Sequence, residues 1–288
     1  MISIICSVYN SSKYLDRYLD YVNNQTLESF EIIFVDAKST DDSLEKITKY
    51  PFREGIKPLI MTLSERVGIY EAWNIAINHS SYDYVLNYNT DDKLYRTSLA
   101  TYATYAKRHP EVDVIYSDSF ISSDIIHTPC SWYSWKDANV KQNLLHGCCV
   151  GPYPLLKKST IKEVGMFNSK FKISGDYEMW CRLNSMGKVF LKIDEPLGVY
   201  YNNPQGISTQ KDQERIKSRK RNSLSGIQAG FDAILQYTRE DIDASFYEKN
   251  KEILTQKRGA GYWLWKPYFI FQTLKNVKEG DIVFYSDG

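Results

Sequence analysis

The sequence predicts an α/β fold with a parallel central sheet, and three observations predict it. Short apolar, β-branched runs alternate with helically periodic segments through the first hundred residues. Repeats of that length close into βαβ units with right-handed crossovers. Polar and acidic residues gather at the ends of the runs rather than within them. The 288 residues suffice for one large α/β domain or one domain with an appendage.

"ISIICSVYN" is the first buried strand, stopped by Asn10 and Ser11, residue types that cap a following helix. Tyr14, Leu15, Tyr18, Leu19 and Val22 then recur at helical spacing and predict an amphipathic helix ending near Asn23 and Asn24. "FEIIFVD" repeats the strand, and the turn after it offers Ser39 and Thr40 as caps for a helix through Leu44 and Ile47. "PLIMTL" is the third strand, and "GIYEAWNIAINHS" is the helix behind it, with Ile69, Trp73, Ala76 and Ile77 on one face. "YDYVLNY" is the fourth strand, delivering Asn89, Asp91 and Asp92 to its C-terminal end, and a helix from Thr97 to Arg108 follows.

Farther on, "DVIYSDSFISSDIIHTP" predicts two short strands around a polar turn at Ser122, Ser123 and Asp124. "SWYSWKDANV" and "LLHGCCVGPYPLL" hold too much Gly, Pro and aromatic content for a regular helix, whereas "STIKEVGMFNSKF" reads as a short helix and turn. "DYEMWCRLNSMG" is a helix with a stripe of Tyr177, Trp180 and Cys181, ended by Gly187. "KVFLKIDEPLGVYY" supplies a last strand, and Gly206, Ile207 and Ser208 follow it as a candidate flap or an ordinary surface loop.

Composition narrows the function. A formal net charge of +1 gives no global electrostatic case for nucleic acid. The 43% hydrophobic and 25% charged fractions are ordinary for a globular protein. Apolar runs fall well short of a bilayer span, and the N-terminus has no basic leader, so the expectation is a soluble cytoplasmic protein. Five cysteines without CxxC spacing read as reduced thiols. No GxxxxGK[ST], GxGxxG or GxSxG motif is present.

In an open parallel sheet, ligands bind outside the carboxyl ends of the strands. Three strand ends meet at one rim there: Ser7, Tyr9 and Asn10 from the first, Asp36 from the second, and Asn89 to Asp92 from the fourth. Tyr9 offers a flat face for a base, Asp36 an acceptor for a base or ribose donor, and Asp91 with Asn89 or Asp92 the hard oxygens that Mg²⁺ or Mn²⁺ prefers. A nucleoside diphosphate bridged by a divalent cation accounts for all of them together. Taken singly, each has an ordinary explanation: Tyr9 in packing, Asp36 as a turn former, Asp91 and Asp92 at a helix start.

The stretch from "ISIICSVYN" through "SLEKI", with "GIYEAWNIAI", "YNTDDKL" and "KISGDYEMWCRL", resembles the family 2 glycosyltransferases over roughly residues 1–210. The resemblance implies the GT-A fold: a mixed, mostly parallel sheet flanked by helices, here with a C-terminal helical and aromatic extension. It implies an inverting hexosyl or N-acetylhexosaminyl transfer from a nucleotide-diphosphate donor, a UDP-sugar, to a glycan or lipid-linked acceptor in surface-polysaccharide synthesis, assisted by Mn²⁺ or Mg²⁺. Ser7, Tyr9, Asn10 and Asp36 fall at the nucleotide, and Asn89-Thr90-Asp91 at the DxD element, with Asp91 the principal metal ligand and Asp92 beside it. Asp176 falls at the catalytic base. It also opens a helix, where capping is the competing role. Two departures stand out: Ala37 and Lys38 replace the usual second aspartate and glycine, and Asn89 removes one charge from the metal site.

Trp132, Trp135 and His146 are the acceptor-side candidates, a small aromatic core being the alternative. Residues 211–250 read as a helical extension whose basic run between Arg215 and Arg221 either touches an anionic membrane at the inner face of the cell membrane or faces water. Residues 251–288 form an aromatic-rich tail ending in "DIVFYSDG", weakly similar to the start of another glycosyltransferase-like module. Two other functions compete: a nucleotidyltransferase, which lacks its basic glycine-rich loop in "CSVYNSS", and a silent nucleotide- or sugar-binding module, which the changes at Ala37 and Asn89 keep open.

Overall fold

The first two apolar runs are continuous rather than alternating because both become strands covered on both faces. The computed structural model describes residues 1–204, 206, 242–255 and 264–283. In chain order its first unit contains β1 (Ile2–Val8), α1 (Ser12–Asn23), β2 (Phe30–Asp36), α2 (Ser43–Lys49), β3 (Ile56–Thr62), α3 (Ile69–His79) and β4 (Tyr84–Asn87). There follow β5 (Lys93–Leu94), α4 (Ser98–Arg108), β6 (Val114–Ser122), β7 (Ser131–Tyr133), α5 (Lys141–His146), β8 (Leu155–Lys157), α6 (Lys158–Val164), α7 (Gly175–Ser185) and β9 (Phe190–Tyr201).

The sheet order is β3-β2-β1-β4-β8-β6-β9-β5, with β7 paired to β6. Strands β3, β2, β1 and β4 are mutually parallel, as the βαβ pattern requires. Beyond β4 the sheet is more antiparallel than expected. β8 runs antiparallel to both β4 and β6, β5 runs antiparallel to β9, and only β6 and β9 are parallel. The continuous core joins Ile4, Val8, Phe34 and Leu86 of the strands to Leu15, Tyr18 and Val22 of α1 and Leu99 and Tyr102 of α4.

Several local expectations shift for physical reasons. Ser11 sits at the N-cap position of α1 without a side-chain capping bond, and Ser39 and Thr40 do not cap α2, which begins at Ser43 with Asp42 at its N-cap; they bond to Asn10 instead. In α3 the buried positions include Tyr70 and Ala72, while Ile69 is only half-buried. The second strand after the Ser122 turn is β7 at Ser131–Tyr133 rather than the stretch around Ile125 and Ile126. One short helix, α5, forms where none was expected and stops at Gly147.

Gly198 is required by close approach. A Cβ there would lie 2.2 Å from the Lys93 carbonyl oxygen and 2.8 Å from the Tyr153 hydroxyl. Gly198→Ala is therefore expected to push β5 away from β9 and destabilise the domain by about 1–3 kcal/mol, read as a lowered thermal midpoint.

The chain divides at residues 217 and 218 into two compact units. Described parts of the second are α8 (Ala244–Lys249), α9 (Lys251–Leu254) and α10 (Trp265–Leu274), gathered on Ile242, Leu254, Tyr268 and Phe269. Asp243 caps α8 through the Phe246 N–H at 2.8 Å and accepts from the Tyr268 hydroxyl at 2.6 Å, so one carboxylate joins α8 to α10. The basic run between Arg215 and Arg221, Ile207 and Ser208 of the candidate flap, and the end of the "DIVFYSDG" tail lie outside the described residues. Among the described residues no helix is long and apolar enough to cross a membrane.

Candidate active site

The parallel register carries three strand ends to one rim: Val8 is paired with Asp36, and Ile5 with Asn87, so the residues that follow β1, β2 and β4 emerge together. Ser7 is half-buried near the end of β1, and Tyr9 is 37% exposed just beyond it. The Arg66 guanidinium lies over the Tyr9 ring, 4.1 Å from its centroid, so the flat face that the sequence offered to a base is shared with a cation.

Asn10 adopts a left-handed backbone, φ 49°. Its N–H donates to Ser39 Oγ at 3.0 Å, and its Oδ1 accepts from the Thr40 N–H at 2.8 Å. The side chain thus joins the loop after β1 to the loop after β2. Asp36 is 3% exposed; its Oδ2 accepts from the Ser39 N–H at 3.2 Å, while Oδ1 is buried without a partner among the described residues. A buried carboxylate oxygen left unpaired is costly unless a ligand donor meets it. Lys38, also left-handed at φ 64°, is exposed.

At the end of β4 two more acceptors lack a partner among the described residues, the buried Oδ1 atoms of Asn87 and Asn89. The two carboxylates that follow them differ. Asp92 is 2% exposed and its Oδ1 accepts from the Tyr201 N–H of β9 at 3.1 Å. Asp91 is half-buried, and its backbone carbonyl is bonded to His127 Nε2 at 2.7 Å. Burial raises the Asp91 carboxyl above the usual carboxylate range, opposed by its own backbone N–H, by Asn203 and by the nearby His127 and Lys13. Burial and the adjacent Asp91 charge raise Asp92 further. The Tyr88 hydroxyl donates to the Asp92 carbonyl at 3.2 Å and accepts from the Leu94 N–H at 3.0 Å, which fixes the loop against β5.

Asp176 stands in the first turn of α7, after Ser174 in a left-handed conformation, φ 60°. Its side chain is half-buried, and Oδ1 accepts from the Tyr70 hydroxyl of α3 at 3.1 Å. Burial and the Asp176 charge raise the Tyr70 phenol well above its ordinary value, so it stays a protonated donor. Gly175 permits the contact, since a Cβ there would lie 2.7 Å from the Tyr70 ring.

On the acceptor side, Trp132 is 56% exposed and Trp135 half-buried. Both are anchored by Asp118, itself 1% exposed: Oδ2 accepts from Trp132 Nε1 and Oδ1 from the Trp135 N–H, each at 3.0 Å. Lys192 compensates that charge at 3.0 Å. His146 ends α5, and its side chain is outside the described residues.

Sequence reasoning missed Arg66, Tyr70, Asp118 and His127. A carboxylate inside the apolar strand "VIYSDSFIS" was the visible signal for Asp118, and an arginine in the polar stretch after the third strand was the one for Arg66. Nothing local marks Tyr70 or His127.

A parallel β3-β2-β1-β4 half-sheet with polar and acidic residues beyond its carboxyl ends is the arrangement of an α/β nucleotide-binding domain. The chain belongs to glycosyl transferase family 2, whose sequence model matches residues 3–165. It is 25% identical over 232 residues to the PGL/p-HBAD biosynthesis glycosyltransferase of Mycobacterium bovis (strain BCG / Pasteur 1173P2), covering 79% of this chain and 87% of that protein. Among solved structures, S. aureus TarS 1-349 in complex with UDP-GlcNAc superposes with a TM-score of 0.63 at 18% identity, covering 82% of this chain and 68% of TarS 1-349. The mannosyltransferase PcManGT from Pyrobaculum calidifontis, in complex with GDP-Man and Mn²⁺, gives 0.60 at 14% identity, covering 97% of this chain and 88% of that one. The fold is therefore GT-A.

Proposed function

We propose that this glycosyltransferase is an inverting enzyme that moves a hexosyl or N-acetylhexosaminyl group from a UDP-sugar to a hydroxyl of a glycan or lipid-linked acceptor in surface-polysaccharide synthesis. The observation that carries the reading is the set of buried acceptors without a partner among the described residues, Asp36 Oδ1, Asn87 Oδ1 and Asn89 Oδ1, at the ends of β2 and β4 on the rim that also holds Asp91. Asp36 takes the donor N–H of the base or a ribose hydroxyl. Tyr9 and Arg66 border the base, and Asn10 holds the two surrounding loops in register. The GDP-Man complex of PcManGT and the UDP-GlcNAc complex of TarS support a nucleotide-sugar donor without choosing between the nucleotides.

A Mn²⁺ or Mg²⁺ ion fits this loop by donor chemistry. Asp91 and Asn89 supply hard oxygens, and Asp92 is tied to β9 and holds the loop more than it faces the site. Among the described residues no cluster of three or more His, Cys, Asp or Glu side chains is placed to hold a metal, so diphosphate oxygens and water would complete the shell. The ion, when bound, stabilises the negative charge that grows on the leaving diphosphate.

Asp176 is the general base. Tyr70 holds its Oδ1, which leaves Oδ2 to accept the proton of the attacking acceptor hydroxyl. Attack on the face opposite the leaving diphosphate inverts the anomeric carbon in a single displacement. The exposed Trp132 face and Trp135, held by Asp118, provide apolar surface for an acceptor sugar. Calorimetric titration with UDP, GDP, dTDP and CDP, each in Mn²⁺ and in EDTA, tests the reading. Cation-dependent binding of UDP is the expected result, and no binding of any of the four would leave the fold without this chemistry.

A further inference from the structure

His127 occupies a place that packing alone does not explain. It lies in the turn between β6 and β7 with a left-handed backbone, φ 61°, a conformation that costs a non-glycine residue free energy. The ring is 4% exposed and held edge-on between Tyr21 and Tyr201, at centroid distances of 5.7 and 6.2 Å. Nδ1 is buried without a partner among the described residues, where an apolar group of the same shape would be cheaper to bury. The polar contact that the ring does make is the 2.7 Å bond from Nε2 to the Asp91 carbonyl oxygen.

We propose that His127 is a positioning residue for the cation-binding loop: its Nε2–H fixes the Asp91 peptide and thereby the direction in which the Asp91 carboxylate faces a nucleoside diphosphate. The inference rests on the nucleotide-sugar reading above. A carbonyl oxygen can only accept, so Nε2 carries a proton and donates it, while Nδ1 meets no partner among the described residues. The next residue is held from elsewhere, through the Tyr201 N–H to Asp92 Oδ1 at 3.1 Å. Asp91 is thus gripped between the turn after β6 and the end of β9. That same turn leads into β7 and Trp132, so the cation loop and the aromatic segment share one connection.

Two variants isolate the donor. His127→Phe keeps an aromatic ring of similar size and removes the N–H, and His127→Gln keeps a neutral N–H donor on an unbranched chain. Both variants are neutral, so a difference between them reads the N–H donor and not a change of charge. UDP affinity in Mn²⁺ is expected to fall about 10- to 100-fold in His127→Phe, as for other residues that orient a metal ligand. Binding in EDTA should be unchanged, and His127→Gln should recover most of the loss. Scanning calorimetry on each variant confirms that it is folded at the titration temperature; if the Phe variant is not, the flexible apolar His127→Met replaces it. Wild-type affinity in the folded apolar variant would overturn the inference, as would equal losses in Mn²⁺ and EDTA or a folded Gln variant that recovers nothing. A wild-type protein whose UDP binding ignores Mn²⁺ would remove the underlying reading and this inference with it. Cation dependence in the wild type beside an unaffected variant removes the inference alone.

Discussion

Asp176→Asn is expected to lose sugar transfer by about 10²- to 10⁴-fold, the range for a removed general base, while binding the donor as tightly as the wild type. The substitution is nearly isosteric, and the amide oxygen can still accept from Tyr70, whose hydroxyl is 3.1 Å from Asp176 Oδ1. What is lost is a basic oxygen to take the acceptor proton. A carboxylate in the first turn of a helix also interacts with its dipole, so a stability loss of about 0.3–1 kcal/mol accompanies the change and is too small to mimic the kinetic effect. Transfer rate, donor affinity and thermal midpoint measured on one preparation separate these contributions. Full activity in the variant would remove Asp176 as base. A wild-type protein that binds donor yet transfers to no acceptor would restore the silent binding module.

The paired carboxylates should respond in opposite ways. Asp91→Ala is expected to abolish the cation-dependent part of donor binding, because it removes the charged ligand and leaves only the neutral Asn89 oxygen. Its effect on stability has the reverse sign. Burial raises the Asp91 carboxyl, so the folded protein binds that proton more tightly than the unfolded chain, and ionising it costs stability as pH rises past the unfolded value. At neutral pH the variant should melt no lower than the wild type. The same raised value means that protons compete with the cation, so donor affinity in Mn²⁺ should weaken as pH falls through it. Asp92→Ala strands the Tyr201 N–H that Asp92 accepts at 3.1 Å and should cost about 1–3 kcal/mol of stability, most fully at acidic pH, where the still more strongly raised Asp92 carboxyl is neutral. Equal loss of Mn²⁺-dependent binding in both variants, with neither destabilised, would contradict this division of labour.

The parallel half of the sheet was legible because strands buried on both faces need no alternation and announce themselves as unbroken apolar runs. Its rim was legible for the same reason: Asp36 and the cluster from Asn87 to Asp92 end such runs. The mixed half was harder. β8 is three residues long, and β7 lies farther along the chain than the polar turn suggested, because the segment around His127 is spent on reaching Asp91 rather than on pairing with β6. The supporting contacts are non-local. Tyr70 meets Asp176 across 106 residues of sequence, and His127 meets Asp91 across 36, so neither periodicity nor spacing marks them. Asp118 was visible as a carboxylate inside an apolar strand, yet only the fold pairs it with Lys192 and with both tryptophans. Reading the side chain of Asn10 as a direct nucleotide contact omitted its loop-joining bonds to Ser39 and Thr40.

The proposed function requires a nucleoside diphosphate held at the strand rim through a cation on Asp91. A crystal of the protein soaked with UDP and Mn²⁺, measured at the manganese absorption edge, tests that claim most directly. The expected result is an anomalous peak at coordination distance from Asp91 and from the diphosphate, with the base against Asp36 and Tyr9. UDP bound elsewhere, or bound at this rim with no manganese beside Asp91, would contradict it.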